Sequence, residues 1–175
     1  MTIAHHHATE PAPAAARDPV GDGLANVRQL LTFAIGSEAF AVDILRVQEI
    51  RGWTEPTRIP HAPPYLKGVV NLRGTVVPII DLRSRFGLPE LEATKTTVVI
   101  VLHLEGTTRS RRIGIVVDAV SDVQDIDPAA IRPAAELDSG SPLVAGLIAE
   151  EDRFLVVLNV DEIIPAHLLA EKVTP

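Results

Sequence analysis

The side chains able to do chemistry in this 175-residue chain are few and scattered. Outside an N-terminal run of His5, His6 and His7, histidine occurs only at His61, His103 and His167. None of these stands at a ligand spacing such as HExxH, so no metal centre is written in them. The three adjacent histidines could hold a transition metal only weakly, because a folded site needs further ligands held in place. They read as part of a solvated tail. Asp43 and Asp118, and Asp81 with Asn159, raise the question of an acid and base pair. They recur at matching strand ends, which favours turn and hydrogen-bonding roles instead. No glycine-rich phosphate loop and no GxSxG elbow is present, and cysteine is absent altogether. The pattern predicts no catalysis, no cofactor and no disulfide, in a chain suited to a reducing cytosol.

The remaining candidates are residues for meeting a partner. Arg73 stands beside Gly74, where its planar fork is either an anchor for a partner carboxylate or a solvated turn arginine. Glu49 and Lys67 have complementary charges and could pair with each other, which at an exposed site contributes about 0 to 1 kcal/mol. Val47, Val120 and Val123 read either as core or as an apolar groove that takes a partner helix within a charged rim. Nucleic acid is disfavoured as a partner. The net charge of -7 leaves no basic surplus to displace counterions, and aromatics at 3% leave little for bases to stack on.

These residues need a scaffold, and 46% hydrophobic residues is a globular composition with enough for one sizeable core or two small ones. The stretch GVVNLRGTVVPIIDL, residues 68–82, reads as two β-branched strands folded back across a turn of Asn71, Arg73, Gly74 and Thr75. Pro78 cannot donate to a ladder, so the second arm is expected at a sheet edge or at a bulge. Before it, residues 29–50 give a strand to Ile35, a turn at Gly36 and Ser37, and a second strand from Ala39, with strand and helical turn both open through Val47 and Ile50. Four prolines, Pro56, Pro60, Pro63 and Pro64, make residues 53–65 a fixed connector. A short helical turn follows from Arg83, stopped by Gly87 and Pro89. Strands are then expected over 96–104, 112–117 and 119–126, and as a last hairpin over 143–148 and 154–160. The start at Asp161 is helical but cut short by Pro165. Residues 1–26, rich in Ala and Pro, predict a disordered tail. Apolar runs such as VVIVL, residues 98–102, fall short of the roughly 18 residues of a membrane span, and no signal-peptide pattern opens the chain. A cytoplasmic protein without direct membrane insertion is expected.

The chain also repeats itself. Val42 and Asp43 precede VQEI at 47–50, as Val117 and Asp118 precede VQDI at 123–126. Gly68, Val69 and Val70 match Gly146, Leu147 and Ile148 at a separation of 78, and Ile79 to Leu82 match Val157 to Val160 at the same separation. Each half has about five strands in roughly 65 residues, which is the size of a small barrel. The fold expected is therefore all-β, two small barrels side by side with a groove between, the halves falling near residues 27–92 and 93–165.

The ordered series VDILRVQEIRGW, TRIPHAPPYLKGVVNLRGTVVPIIDLRSRFG, RRIGIVVDAVSDV and IRP, spread over residues 30–160, resembles the bacterial chemotaxis coupling family, CheW. A lone NLRG would be weak; the series with nearly unbroken spacing is not. The resemblance implies two five-stranded SH3-like barrels over residues 27–170, with 171–175 a C-terminal tail. It implies a non-catalytic scaffold that links chemoreceptor cytoplasmic tips to the regulatory domain of the histidine kinase CheA, in a chain monomeric by itself that works within receptor arrays. A scaffold of a non-motility array, with pili or another output, is one alternative, and a small-barrel enzyme with an unrecognised site the less favoured other. Carried over by position, the receptor and kinase contacts implied are Ile44, Val47, Glu49, Lys67, Gly68, Arg73, Gly74, Val120 and Val123. Leu66 stands where the family has isoleucine.

Overall fold

The computed structural model describes residues 28–105, 111–137 and 141–165. The expected tails over 1–26 and 171–175, His5, His6, His7 and His167 lie outside the described residues. In chain order the elements are β1 (Arg28–Ile35), β2 (Glu38–Asp43), β3 (Val47–Gly52), β4 (Leu66–Leu72), β5 (Thr75–Asp81), α1 (Leu82–Arg85), β6 (Val98–Leu104), β7 (Arg111–Val117), β8 (Ala119–Ile126), β9 (Arg132–Pro133), β10 (Val144–Ala149) and β11 (Phe154–Leu158). The segment left open after β2 is both of its alternatives: a 3-10 turn over Ile44–Arg46, then strand β3. Asp43 starts that turn by accepting a hydrogen bond from the Leu45 N–H at 3.0 Å.

The strands form two sheets, ordered β8-β1-β2-β11-β10-β9 and β3-β6-β7-β5-β4. Each curls into a small barrel around its own apolar cluster. The division expected near residues 92 and 93 is corrected by the strand order. Barrel one takes β1 and β2 from the first repeat and β8 to β11 from the second, while barrel two takes β6 and β7 from the second and β3 to β5 from the first. The pairings correspond across the repeats. β2 runs parallel to β11 as β7 runs parallel to β5, and β1 lies antiparallel to β8 as β6 does to β3.

The exchange has a simple cause. Three residues, Ile44–Arg46, join β2 to β3, and Asp118 alone joins β7 to β8. Were β3 to stay in the barrel of β2, it would lie beyond β1 and run parallel to β2. The chain would then have to return along a whole strand, about 20 Å. A three-residue linker spans at most about 14 Å. So each strand runs straight on into the other barrel.

Exchange puts the largest core between the barrels. Leu31, Phe33, Ile35, Phe40 and Val42 meet Ile80, Leu82, Ile100, Leu102, Ile113 and Ile115 there. The alternate residues of the same strands face the barrel interiors. On β2 these are Ala39 and Ala41, small enough for a narrow barrel, against Phe40 and Val42 on the other face. Strands buried on both faces read as near-continuous apolar runs, as β1, β2, β6 and β7 do, Thr32 and His103 being the polar interruptions of β1 and β6. Each fully buried Leu, Ile or Phe contributes about 1.5 to 3 kcal/mol.

The hairpin β4–β5 turns through Arg73 and Gly74 alone, with Asn71 and Thr75 already in the flanking strands. Pro78 is not on an edge strand: β5 lies between β4 and β7. The parallel pairing with β7 runs from Ile79 to Asp81, just past Pro78, so the missing N–H is not needed there. A register shift does fall nearby, between Leu66 and Gly68 on β4.

Candidate partner-binding site

The two-residue turn sets the geometry of Arg73. Both turn residues have positive φ, +51° at Arg73 and +84° at Gly74, as a hairpin whose twist matches its strands requires. Asn71 Oδ1 accepts the Gly74 N–H at 2.8 Å and closes the turn. The Arg73 guanidinium then reaches Glu49 on β3, with Nη2 3.1 Å and Nη1 3.5 Å from its two carboxylate oxygens. Since β3 and β4 are the two edges of the sheet, this fork clasps the open side of barrel two. Arg73 stays 75% exposed while Glu49 is 25% exposed, so the guanidinium remains open to a partner.

Glu49 and Lys67, which could have paired, have different partners. Lys67 sits at the start of β4, about 20 Å along the strand from the turn. Its ammonium binds Glu90 and lies 3.5 Å from Asp81 Oδ2. The Lys67 hydrogen bond and charge hold the Glu90 carboxyl below its ordinary pKa. Gly68 next to it is buried, with φ +145°, and a Cβ there would lie 2.1 Å from the Thr57 carbonyl oxygen. That backbone approach is the Thr57–Val69 bridge, with both N–H to O distances 2.9 Å. Gly68 thus holds the proline-rich connector against β4.

Ile44, Val47 and Val120 are half-buried and pack against the rim of the inter-barrel core. Val123, the counterpart of Val47, is exposed on β8 in the other barrel. The nine positions therefore fall in three places: Glu49, Arg73 and Gly74 at the clasp; Lys67 and Gly68 by the connector; Ile44, Val47 and Val120 along the seam, with Val123 beyond it. The sequence reading missed exposed apolar neighbours of these groups. Leu45 on the linker is 87% exposed and Val76 beside the turn 60%. Leu45 was legible in principle, since it is the middle residue of a linker too short to turn inward.

The recurring aspartates do structural work. Asp81 Oδ1 accepts the Arg83 N–H at 2.9 Å. Asp118 accepts from Arg83 Nε at 3.0 Å, again from its Nη2, and from the Gly36 N–H at 2.6 Å. Burial pushes the Asp118 carboxyl up, but the hydrogen bonds from Arg83 and Gly36 and the Arg83 charge outweigh it and hold it below the ordinary range. The hydrogen bond that Arg83 donates to Asp118 likewise leads in raising Arg83, against the opposing effect of burial. A cleft of about 190 Å³ is lined by Trp53, Lys67, Asp81, Arg83, Glu90 and Asp118, among others. Lys67 faces both Asp81 and Glu90 there, and Arg83 faces Asp118. Among the described residues no cluster of His, Asp or Glu could hold a metal ion, and no helix is long and apolar enough to cross a membrane.

A family model described as the CheW-like domain matches residues 29–167. A chemotaxis protein CheW of Klebsiella aerogenes is 41% identical over 145 residues, covering 82% of this chain and 85% of that protein. One of Rhizobium meliloti (strain 1021) is 39% identical over 142 residues, covering 80% of this chain and 89% of that protein. The crystal structure of scaffolding protein TtCheW from Thermoanaerobacter tengcongensis superposes with a TM-score of 0.70 at 28% identity, covering 78% of this chain and 92% of that one.

Proposed function

The chain belongs to the CheW-like family of non-catalytic chemotaxis scaffolds, and from that premise we propose that it couples chemoreceptor cytoplasmic tips to the histidine kinase CheA in the cytoplasm. The observation that carries the reading is the reach of the family match, which spans both exchanged barrels whole. In this reading the chain supplies surfaces and no chemistry.

The contact surface proposed is Ile44, Val47, Glu49, Lys67, Gly68, Arg73, Gly74, Val120 and Val123. Ile44, Val47 and Val120 form an apolar bed along the inter-barrel seam, suited to the apolar stripe of a helix. Arg73, positioned by Glu49, offers a charged rim whose free N–H groups suit a partner carboxylate. Gly68 and Gly74 act through the backbone shapes they permit. One barrel would meet the kinase regulatory domain while the seam holds the receptor. Many modest contacts of this kind in an array gain avidity through effective concentration.

The test is a pull-down with purified kinase and a receptor signalling fragment, separately and together, read by kinase autophosphorylation. A ternary complex with altered kinase activity is expected. Arg73→Glu should leave the melting curve close to wild type and weaken capture of one partner by about tenfold, the loss of roughly one charged contact. Full retention of both partners would remove Arg73 from the surface.

A further inference from the structure

The two parallel seams, β2 with β11 and β5 with β7, end in ion pairs of opposite polarity. After β2, Arg46 on the linker donates to Asp161, which follows β11. After β7 the linker residue is Asp118, and it accepts from Arg83, which follows β5. Arg83 lies two residues past Asp81 and Asp161 two residues past Asn159, so they are counterparts with reversed charge. The basic member of each pair is shielded, the Arg46 side chain 14% and that of Arg83 10% exposed, while Asp161 and Asp118 are 36% and 35% exposed. Arg46 also donates to the His103 carbonyl at 3.0 Å, and Asp161 accepts the Glu105 N–H at 2.9 Å.

The alternation of apolar positions is common to both repeats and does not by itself dictate which repeat pairs with which, although side-chain size differs, Phe40 standing where β7 has Ile115. The short linkers force exchange, but exchange with an identical repeat of a second copy would satisfy them equally well. We infer that the reversed polarity of these two ion pairs makes the first repeat pair with the second and not with its own kind from another copy. Two second repeats would bring Asp118 of each copy against Asp161 of the other, with Asn159 beside them in place of a further charge. Like charges brought together at these partly exposed sites repel one another. Two first repeats would bring Arg46 against Arg83. Asp43 stands at the place of Asp118 and would relieve part of that repulsion. The bias is therefore strongest against self-pairing of second repeats.

Making both polarities the same should remove the discrimination while keeping an ion pair at the end of each seam. Arg46→Asp with Asp161→Arg does this from one side, and Arg83→Asp with Asp118→Arg from the other. The full chain, unfolded in urea and refolded at high concentration, is read by size exclusion with light scattering. Either reversed double variant is expected to raise the dimer fraction about tenfold over wild type, the factor that corresponds to about 1.4 kcal/mol. A photo-crosslinking residue at Glu38 on β2, in mixed isotope-labelled chains of the Arg83→Asp, Asp118→Arg protein, should capture β5 of the other copy. Arg46→Ala with Asp161→Ala relieves the like-charge contacts but leaves the Arg83–Asp118 pair to favour the native partner, so it should lower the melting temperature and raise the dimer fraction by clearly less than either reversed variant. The inference is overturned by an unchanged dimer fraction in whichever reversed variants fold, by an equal rise in the alanine variant, or by inter-chain capture of β11 in place of β5.

Discussion

Arg73 occupies a left-handed backbone conformation, φ +51°, that a non-glycine residue adopts at a cost of order 1 kcal/mol or more. Asparagine tolerates that conformation better but cannot fork onto Glu49. Arg73→Asn should therefore leave the melting temperature unchanged or slightly raised while weakening partner capture, a split that thermal melts and the pull-down together would show. Gly68 answers to a different constraint. Its Cβ would lie 2.1 Å from backbone oxygen, which no side-chain rotation relieves. Gly68→Ala should cost about 3 kcal/mol or more in urea denaturation, through loss of the Thr57–Val69 bridge. Loss of partner binding in that variant would then report a displaced connector. The sequence singled out both residues, yet it gave no sign that one is exposed and the other buried, because glycine and arginine occur freely in either setting.

At the scale of elements, β2 shows how one strand serves two cores. Phe40 stacks with Phe33 at 6.0 Å and with Phe86 at 5.2 Å between ring centroids, all three on the inter-barrel side. Phe40→Ala should cost about 3 to 5 kcal/mol. Because this face is shared, denaturation followed by separate probes in the two barrels should still show one coincident transition. Two resolved transitions would mean that the barrels stabilise themselves independently. Strand existence was legible from β-branched runs, and most boundaries expected from the sequence stand within two residues of those found. The two-residue strand β9 was not foreseen; Arg132 and Pro133 carry no apolar period. Of the two places expected for Pro78, a sheet edge or a bulge, the edge is not found and a register shift lies nearby, since the sequence shows a missing N–H but not where the neighbouring strand begins to need it.

For the whole molecule, the Arg83–Asp118 pair ties barrel two to the β1–β2 turn of barrel one through the Gly36 N–H. Asp118 titrates below its ordinary range, so the unfolded chain takes up this proton at higher pH than the folded one. Its contribution to stability is complete above the unfolded value of about 3.9 and disappears as pH falls through the lower folded one. Asp118→Asn should therefore show a stability deficit that is constant near neutral pH and narrows below about pH 4. Urea denaturation of both proteins across that range measures it, and a deficit unchanged at low pH would assign the loss to packing.

The sequence by itself determined the all-β class, the duplication, the hairpin at Arg73 and Gly74 and the family, because alternation, turn chemistry and ordered motifs are local or linear properties. It also held the cause of the strand exchange, in linkers of three residues and one. Which barrel each strand joins appears only when strand direction is combined with reach. Tertiary structure alone decided that the largest core lies between the barrels, that Glu49 pairs with Arg73 and Lys67 with Glu90 and Asp81, and that Val123 stands apart from Ile44, Val47 and Val120. Those outcomes depend on which edges a closed sheet brings together, and residues 24 or 23 apart in the chain carry no mark of meeting.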